Sequence, residues 1–268
     1  MNADGPAALH PLAALLRRFA LQFLACQDWS VLQEVMADDY RLEVGGHVIA
    51  GRDEAYRPAM RVQFGQFPGL GVTVHEVLLA DDAMAMRFTE HGASRRDGGR
   101  AAAWQGVSLF QVRKGRLQSG WAEEDYLARK RQLRTGVCDP LERPHRAPWD
   151  AQPEAADPEA ASVARRWLLE GRAIEAAARP EDPDPPPAAL LDAASTAIDA
   201  FVCAGRRVAF HVTHRGTYAG GFGDADSALT GSKAELRAAG IITVENGSVV
   251  GARVVTDRLG LRRSLQTA

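Results

Sequence analysis

Two stretches of this chain repeat each other, and that repeat constrains the fold more than any other feature. Residues 108–134 (SLFQVRKGRLQSGWAEEDYLARKRQLR) align without a gap onto residues 240–266 (GIITVENGSVVGARVVTDRLGLRRSLQ) at an offset of 132. Val112 falls on Val244, Gly115 on Gly247, Asp125 on Asp257, Leu127 on Leu259, Arg131 on Arg263 and Leu133 on Leu265. Upstream the offset shortens to 124, where FTEHG (88–92) faces VTHRG (212–216); the second copy then inserts GFGDADSA (221–228). Self-similarity of this kind means one structural unit built twice. The chain accordingly divides into a first domain (1–136), a Pro-rich linker (137–156) and a shorter second domain (157–268). The second copy is the degenerate one. Where the first has RLEVGGHVIAGRDEAYRPAM (41–60), the second has EDPDPPPAALL (181–191), and such a proline run cannot form a central strand.

Periodicity supplies the coarse structure. Leu12, Leu15, Leu16, Phe19 and Phe23 recur at helical spacing within 8–26, Asp28 is placed to cap a short helix through Met36, and 52–64 reads as a third helix. After FPGLG the pattern turns to strands at 72–79, 83–92, 103–113 and 116–125, with Lys114-Gly115 as a hairpin turn. In the second copy, Asp157-Pro158-Glu159 opens a helix over 158–178, a second helix is expected over 188–203, and strands over 206–217, 233–246 and 248–257. Helices followed by antiparallel strands give an α+β fold with the helices on one face of a curved sheet.

Composition narrows the function. A formal net charge of −2 signals no basic face for nucleic acid. Arg17 and Arg18 interrupt the apolar run at 8–26, which argues against a membrane span or a signal sequence. Cys26, Cys138 and Cys203 are odd in number and far apart, which fits a reducing cytoplasm better than a disulfide framework. There is no phosphate-binding glycine loop, no nucleophile elbow and no zinc-type spacing.

Strict alternation along 116–125 puts Leu117, Ser119, Trp121, Glu123 and Asp125 on one face. Asp125 at the end of that apolar row is a candidate acid/base, a desolvated carboxyl being able to exchange protons near neutrality. The plain alternative is a solvated aspartate capping a helix that begins at YLARKRQL. In the second copy Arg253 stands where Trp121 does, a cation that would favour ionised Asp257. Strand 83–92 puts Met84, Met86, Phe88 and Glu90 on one face and Arg87, Thr89 and His91 on the other. Glu90 thus reaches a pocket mouth or marks where the strand leaves the core. His47, His75 and His91 are each possible acid–base assistants or plain surface or core histidines. His211 and His214 fall on opposite faces and form no metal pair with each other.

The elements AGRDEAYR (50–57), FPGL (67–70), the stretch GVSLFQVRKGRLQSGWAEED (106–125) and RQL (131–133) resemble the SnoaL-like polyketide cyclases of the nuclear transport factor 2-like superfamily. RGTYAGGF (215–222) and the DRLGL of 257–261 resemble the same family more faintly. The resemblance implies two cones, each a curved, mostly antiparallel sheet wrapped around helices, packed sheet to sheet as a pseudo-dimer that could itself dimerise. It implies ring-closing proton transfer on a hydrophobic carbonyl compound, with neither metal nor organic cofactor. Asp125 would be the acid/base, with Trp121, Phe88, Phe110 and Met86 walling the pocket and Glu43, Glu90 or His91 adding a polar contact. Asp257, Arg253 and Tyr218 would be structural counterparts. The superfamily also holds epoxide hydrolases and non-catalytic binding domains, so both remain alternatives.

Overall fold

The apolar row from Leu12 to Phe23 is buried along its length, and it builds the first helix, α1. This helix runs over Pro11–Arg17 and continues in wider π-type turns over Arg18–Ala25. The computed structural model describes residues 8–178, 182–223 and 226–267; residues 1–7 of the first domain, residue 181 of the Pro-rich segment and 224–225 of the inserted turn lie outside the described residues. Asp28 caps α2 (Trp29–Val35) by accepting a hydrogen bond from Ser30 N at 3.0 Å, as its position before the apolar run predicts. Then follow β1 (Met36–Val44), β2 (His47–Ala50), a π-type turn (Arg52–Tyr56), α3 (Arg57–Gln66), β3 (Gly71–Leu79), β4 (Ala83–Ser94), β5 (Arg100–Arg113), β6 (Arg116–Glu124) and α4 (Tyr126–Thr135). The strands form one sheet in the order β2-β1-β6-β5-β4-β3, antiparallel except where β1 runs parallel to β6. Its concave face closes on α1–α3 through an aromatic core in which Phe19 meets Phe110 edge-on at 5.4 Å and Phe23 packs on Phe64.

The second half repeats this in shortened form. Asp157 caps α5 (Pro158–Leu169), Gly171 breaks the helix at φ 76°, and α6 (Arg172–Ala176) and the single turn α7 (Pro187–Leu190) follow. Strands β7 (Leu191–Ala204), β8 (Arg207–Tyr218), β9 (Lys233–Glu245) and β10 (Ser248–Thr256) form an antiparallel sheet in the order β10-β9-β8-β7. A short turn of helix, α8 (Asp226–Leu229), lies within the insertion, and α9 (Arg258–Thr267) ends the chain. The helix expected over 188–203 is therefore a strand. Its pairing with β8 slips twice, between Ala193 and Ser195 and between Ile198 and Ala200. Each bulge shifts the side-chain parity, so the apolar residues fall at helix-like spacing in an extended segment.

The two sheets pack face to face. Ala83, Ala85, Val107 and Leu109 of the first meet Ala204, Ala209, Ala239, Ile241 and Val255 of the second. Small side chains on both faces let the sheets approach closely, and the two halves form the pseudo-dimer that the resemblance implies. Residues 137–156 contain one 3₁₀ turn (Pro148–Asp150) and are tied to the sheets, with Glu142 bonded to Arg87 and Glu154 N to the Leu79 carbonyl. All three cysteines are free thiols, and no helix among the described residues is long and apolar enough to cross a membrane.

Candidate active site

The concave face of the first sheet and helices α1 and α3 enclose a cavity of about 240 Å³. Its wall is apolar for the most part (Phe19, Leu24, Met60, Met86, Phe88, Phe110), and its carboxyl and amide groups converge from three elements. Glu90 comes from β4, Glu124 from the end of β6, and Gln63 from α3.

Register explains how the two glutamates meet. Glu90 pairs with Trp104 on β5, while Gly106, two residues on, pairs with both Phe88 and Glu124. Both carboxylates thus hang over β5 from its two neighbours. A Cβ on Gly106 would strike the Phe88 ring and come within 3.0 Å of Glu124 Cγ. Only glycine leaves the gap into which Glu124 leans.

The two side chains are hydrogen-bonded to each other. Gln63 Nε2 donates to Glu90 Oε2 at 2.8 Å, and Trp104 Nε1 donates to Glu124 Oε2 at 2.6 Å; Tyr126 lies beside Glu124. Burial drives the Glu90 pKa well above the ordinary carboxylate range, and the charge of Glu124 adds to the rise. Burial raises Glu124 as well, but the Trp104 N–H and the nearby Arg129 cation oppose the rise. Burial therefore makes the pair hold a proton more readily than free carboxyls do, with Glu90 the more strongly raised. The Arg129 guanidinium is held over the rings of Tyr126 (4.3 Å), Trp104 (5.0 Å) and Phe67 (5.7 Å). Tyr40 and Tyr56 also face the cavity, and burial pushes both phenols upward, so they stay neutral donors.

The residues singled out from sequence divide between this site and others. Met86, Phe88, Phe110 and Glu90 line the cavity. Trp121, Glu43 and His91 are not in its wall. Glu43 lies beside Arg41, at 3.2 Å, and His91 covers Gly71 and contacts Thr73.

Asp125 also stands outside the cavity wall. It is neither solvated nor pocket-facing: it is 3 % exposed at the junction of the halves. Its Oδ1 accepts from Ala128 N as the cap of α4, and its Oδ2 accepts from Arg258 Nη2 of the second half at 2.8 Å. Asp257 caps α9 through Gly260 N at 2.7 Å. Burial raises its pKa, contrary to the ionised state expected from Arg253, because Arg253 is exposed and bonds the Ala252 carbonyl. Tyr218 is a core residue stacked on Phe222.

Sequence reasoning missed Glu124, Tyr126, Gln63 and Trp104. For Glu124 the cause is one residue. β6 slips against β5 between Leu117 and Ser119, so Gln118 is an unpaired bulge residue. Leu117 points into the core, and beyond the bulge Ala122 and Glu124 do so, rather than Trp121 and Asp125.

A curved sheet closed on helices around an apolar, carboxylate-bearing pocket defines the cone-shaped α+β class to which nuclear transport factor 2-like proteins belong. Within that class, residues 16–119 match the SnoaL-like domain family. No curated protein matches the chain. Among solved structures it is similar to IdmH of Streptomyces antibioticus, a candidate polyketide cyclase (19% identity, 46% of this chain, 99% of that one, TM-score 0.41). It is also similar to a candidate SnoaL-like polyketide cyclase of Jannaschia sp. CCS1 (21% identity, 52% and 100%, TM-score 0.42). A third is an epoxide hydrolase of the LEH-like type from M. tuberculosis (18% identity, 48% and 93%, TM-score 0.41).

Proposed function

We propose that the first half is a cofactor-independent proton-transfer enzyme acting on a hydrophobic carbonyl compound, with Glu124 as base and Glu90 as acid. The hydrogen-bonded Glu90–Glu124 pair in an otherwise apolar cavity carries this reading. Two carboxyls whose surroundings push their proton affinities apart supply an acid and a base at one pH. Glu124 takes the proton α to a carbonyl while Glu90 gives its proton to the carbonyl oxygen, leaving an enol. The enol carbon then bonds a second carbonyl carbon of the same molecule. Glu124 returns its proton to the new alkoxide, Glu90 recovers one from the enol hydroxyl, and the net change is ring closure. Gln63 and Trp104 hold the two carboxyls in place, and the tyrosines offer donors to the substrate oxygens.

Exchange of α-hydrogens tests this without knowledge of the natural substrate. 2-Tetralone incubated with the protein in D₂O is expected to gain deuterium faster than in buffer, followed by proton NMR. Saturable binding of 2-tetralone without accelerated exchange would instead make the cavity a binding site. The carboxyl pair favours one second reading: Glu124 activates water and Glu90 protonates an epoxide oxygen, as an epoxide hydrolase would. Diol formation from styrene oxide, absent exchange of the ketone, would select it.

A further inference from the structure

The cavity is small for a complete substrate, and a second space adjoins it. A cleft of about 1200 Å³ runs between the β1–β2 turn of the first half and the open end of the second sheet. Val44, Ile49 and Tyr126 belong to the walls of both. One side of the cleft therefore continues the cavity wall, and Tyr126 has Glu124 behind it and the cleft before it.

The far wall comes from the second half, and its charge is uneven. Arg215, Lys233, Arg237 and Arg263 face the cleft, against the two carboxyls of Glu235 and Asp257. Glu235 is shared between Arg215 and Arg237, both at 2.8 Å. Asp257 is held toward its neutral form by burial. A cationic wall remains, across the cleft from an apolar floor. The Arg237 guanidinium is pressed against the β1–β2 turn: a Cβ on Gly46 would lie 2.7 Å from its Nη1.

We infer that cavity and cleft form one binding track whose substrate carries an anionic group, and that the second half, through Lys233 and Arg237, binds that group. The second copy is then a specificity element for the first, not merely a support. This rests on the reading of the cavity as a substrate site and adds to it the substrate class: an apolar carbonyl compound with a carboxylate, or a similar anion, at its outer end.

A homologous series separates the two claims. ω-Phenylalkanoates of four to ten carbons and the matching ω-phenylalkanols present the same ring to the cavity, with and without the anion. Their dissociation constants come from quenching of tryptophan fluorescence. The expected result is that both series bind, and that beyond a threshold length the acid binds about tenfold more tightly than the alcohol, the value of one charge-assisted hydrogen bond. Lys233→Gln with Arg237→Gln should abolish that preference without weakening the alcohols, while the charge-retaining pair Lys233→Arg with Arg237→Lys keeps it. Alcohols binding with no acid preference at any length, or a preference that survives the glutamine pair, would overturn the inference and leave the cavity reading intact. Failure of both series to bind would overturn both.

Discussion

The two halves use one scaffold and fill it differently. At the offset of 124 residues the strand registers coincide: Val74 pairs with Phe88, and Ile198 with Val212. Both edge strands carry their bulge at the same place, His75 in one and Asp199 in the other, and each bulge residue bonds the matching threonine, Thr89 or Thr213, at 2.8 Å. The bulge of β6 at Gln118 recurs in β10 at Val250. Yet inside the cones the positions of Glu90 and Glu124 are occupied by His214 and Thr256. Among its described residues the second half also lacks counterparts of β1, β2 and α3, and Trp167 packs edge-on to Phe210 in its core. A few inward side chains distinguish the interiors of the two cones.

The largest expected effect breaks the comparison at the carboxyl pair. Glu124→Gln removes the proposed base but keeps the Trp104 hydrogen bond, and should lower 2-tetralone exchange by ~10²–10⁴. Asp125→Asn should leave the rate per folded molecule unchanged, because Asp125 faces Arg258 and not the cavity. Equal losses in the two variants, measured by NMR on samples with matched circular dichroism, would return the acid/base role to Asp125.

That contrast also marks how far the sequence could be read. The repeat, the capping aspartates 28 and 157, and the parity of β4 follow from local rules, so Met86, Phe88 and Glu90 are legible as one inward face. The site is half hidden because its other carboxyl lies beyond a bulge. Nothing in RLQSGWAEED announces that Gln118 is skipped, and a one-residue slip exchanges Glu124 for Asp125. Only the pairing of β6 with β5, where Gly106 faces Glu124, fixes the parity. The same blindness turned β7 into a helix on paper.

The second prediction concerns the cap aspartates. Asp125 is bound by Arg258, which also contacts Asp182 at 2.9 Å, all three side chains being buried or nearly so. Asp257 lies near Arg237 and Arg263, but its Oδ2 has no hydrogen-bond partner among the described residues. Arg258→Leu leaves a buried carboxylate unpaired and should cost ~3–5 kcal/mol in urea unfolding. Asp257→Asn keeps a capping side chain and should cost less than ~1 kcal/mol. Similar costs would mean that the Arg258 link contributes little to holding the halves together.

A third test uses two histidines of β8 on opposite faces. His211 sits between Glu123 Oε1 of the first half and Asp199 Oδ2, both at 2.9 Å. Burial works against its charge, but the bonds to Asp199 and Glu123 outweigh it and push the pKa up to about 9. Glu123 moves the same way, up to about 7, because burial outweighs the His211 contact. His214 faces the second core, where burial pushes it down to about 4. The signs follow from linkage. A raised pKa means that folding takes up a proton, so the His211 contribution is full below its ordinary 6.5 and is lost as pH rises through about 9. The His214 contribution is full above 6.5 and is lost as pH falls toward 4. The unfolding free energy should therefore drop between these limits on the alkaline side by on the order of 3 kcal/mol. His211→Gln should flatten the alkaline limb; on the acid side the raised Glu123 opposes His214, so His214→Gln should leave stability falling as pH rises from 4.5 to about 7. An alkaline slope that survives His211→Gln would remove this cluster as the link between the sheets.

The smallest effect comes from a turn where the halves differ by one residue. Lys114 and Asn246 occupy the same hairpin position at φ 52° and 50°, each followed by a glycine with φ 73° or 71°. This is the geometry of a two-residue hairpin turn, whose first position needs a left-handed backbone. Asparagine enters that region more readily than lysine, because its short amide can bond the local backbone. Both side chains are exposed, so packing does not enter the comparison. Lys114→Asn should stabilise the protein by about 0.5 kcal/mol, read as a rise of about 1–2 °C in Tm. Asn246→Lys should lower Tm by as much. If the two changes do not mirror each other, the hairpins are not equivalent in energy although they are in shape, and the repeat is closer in backbone than in the forces that hold it.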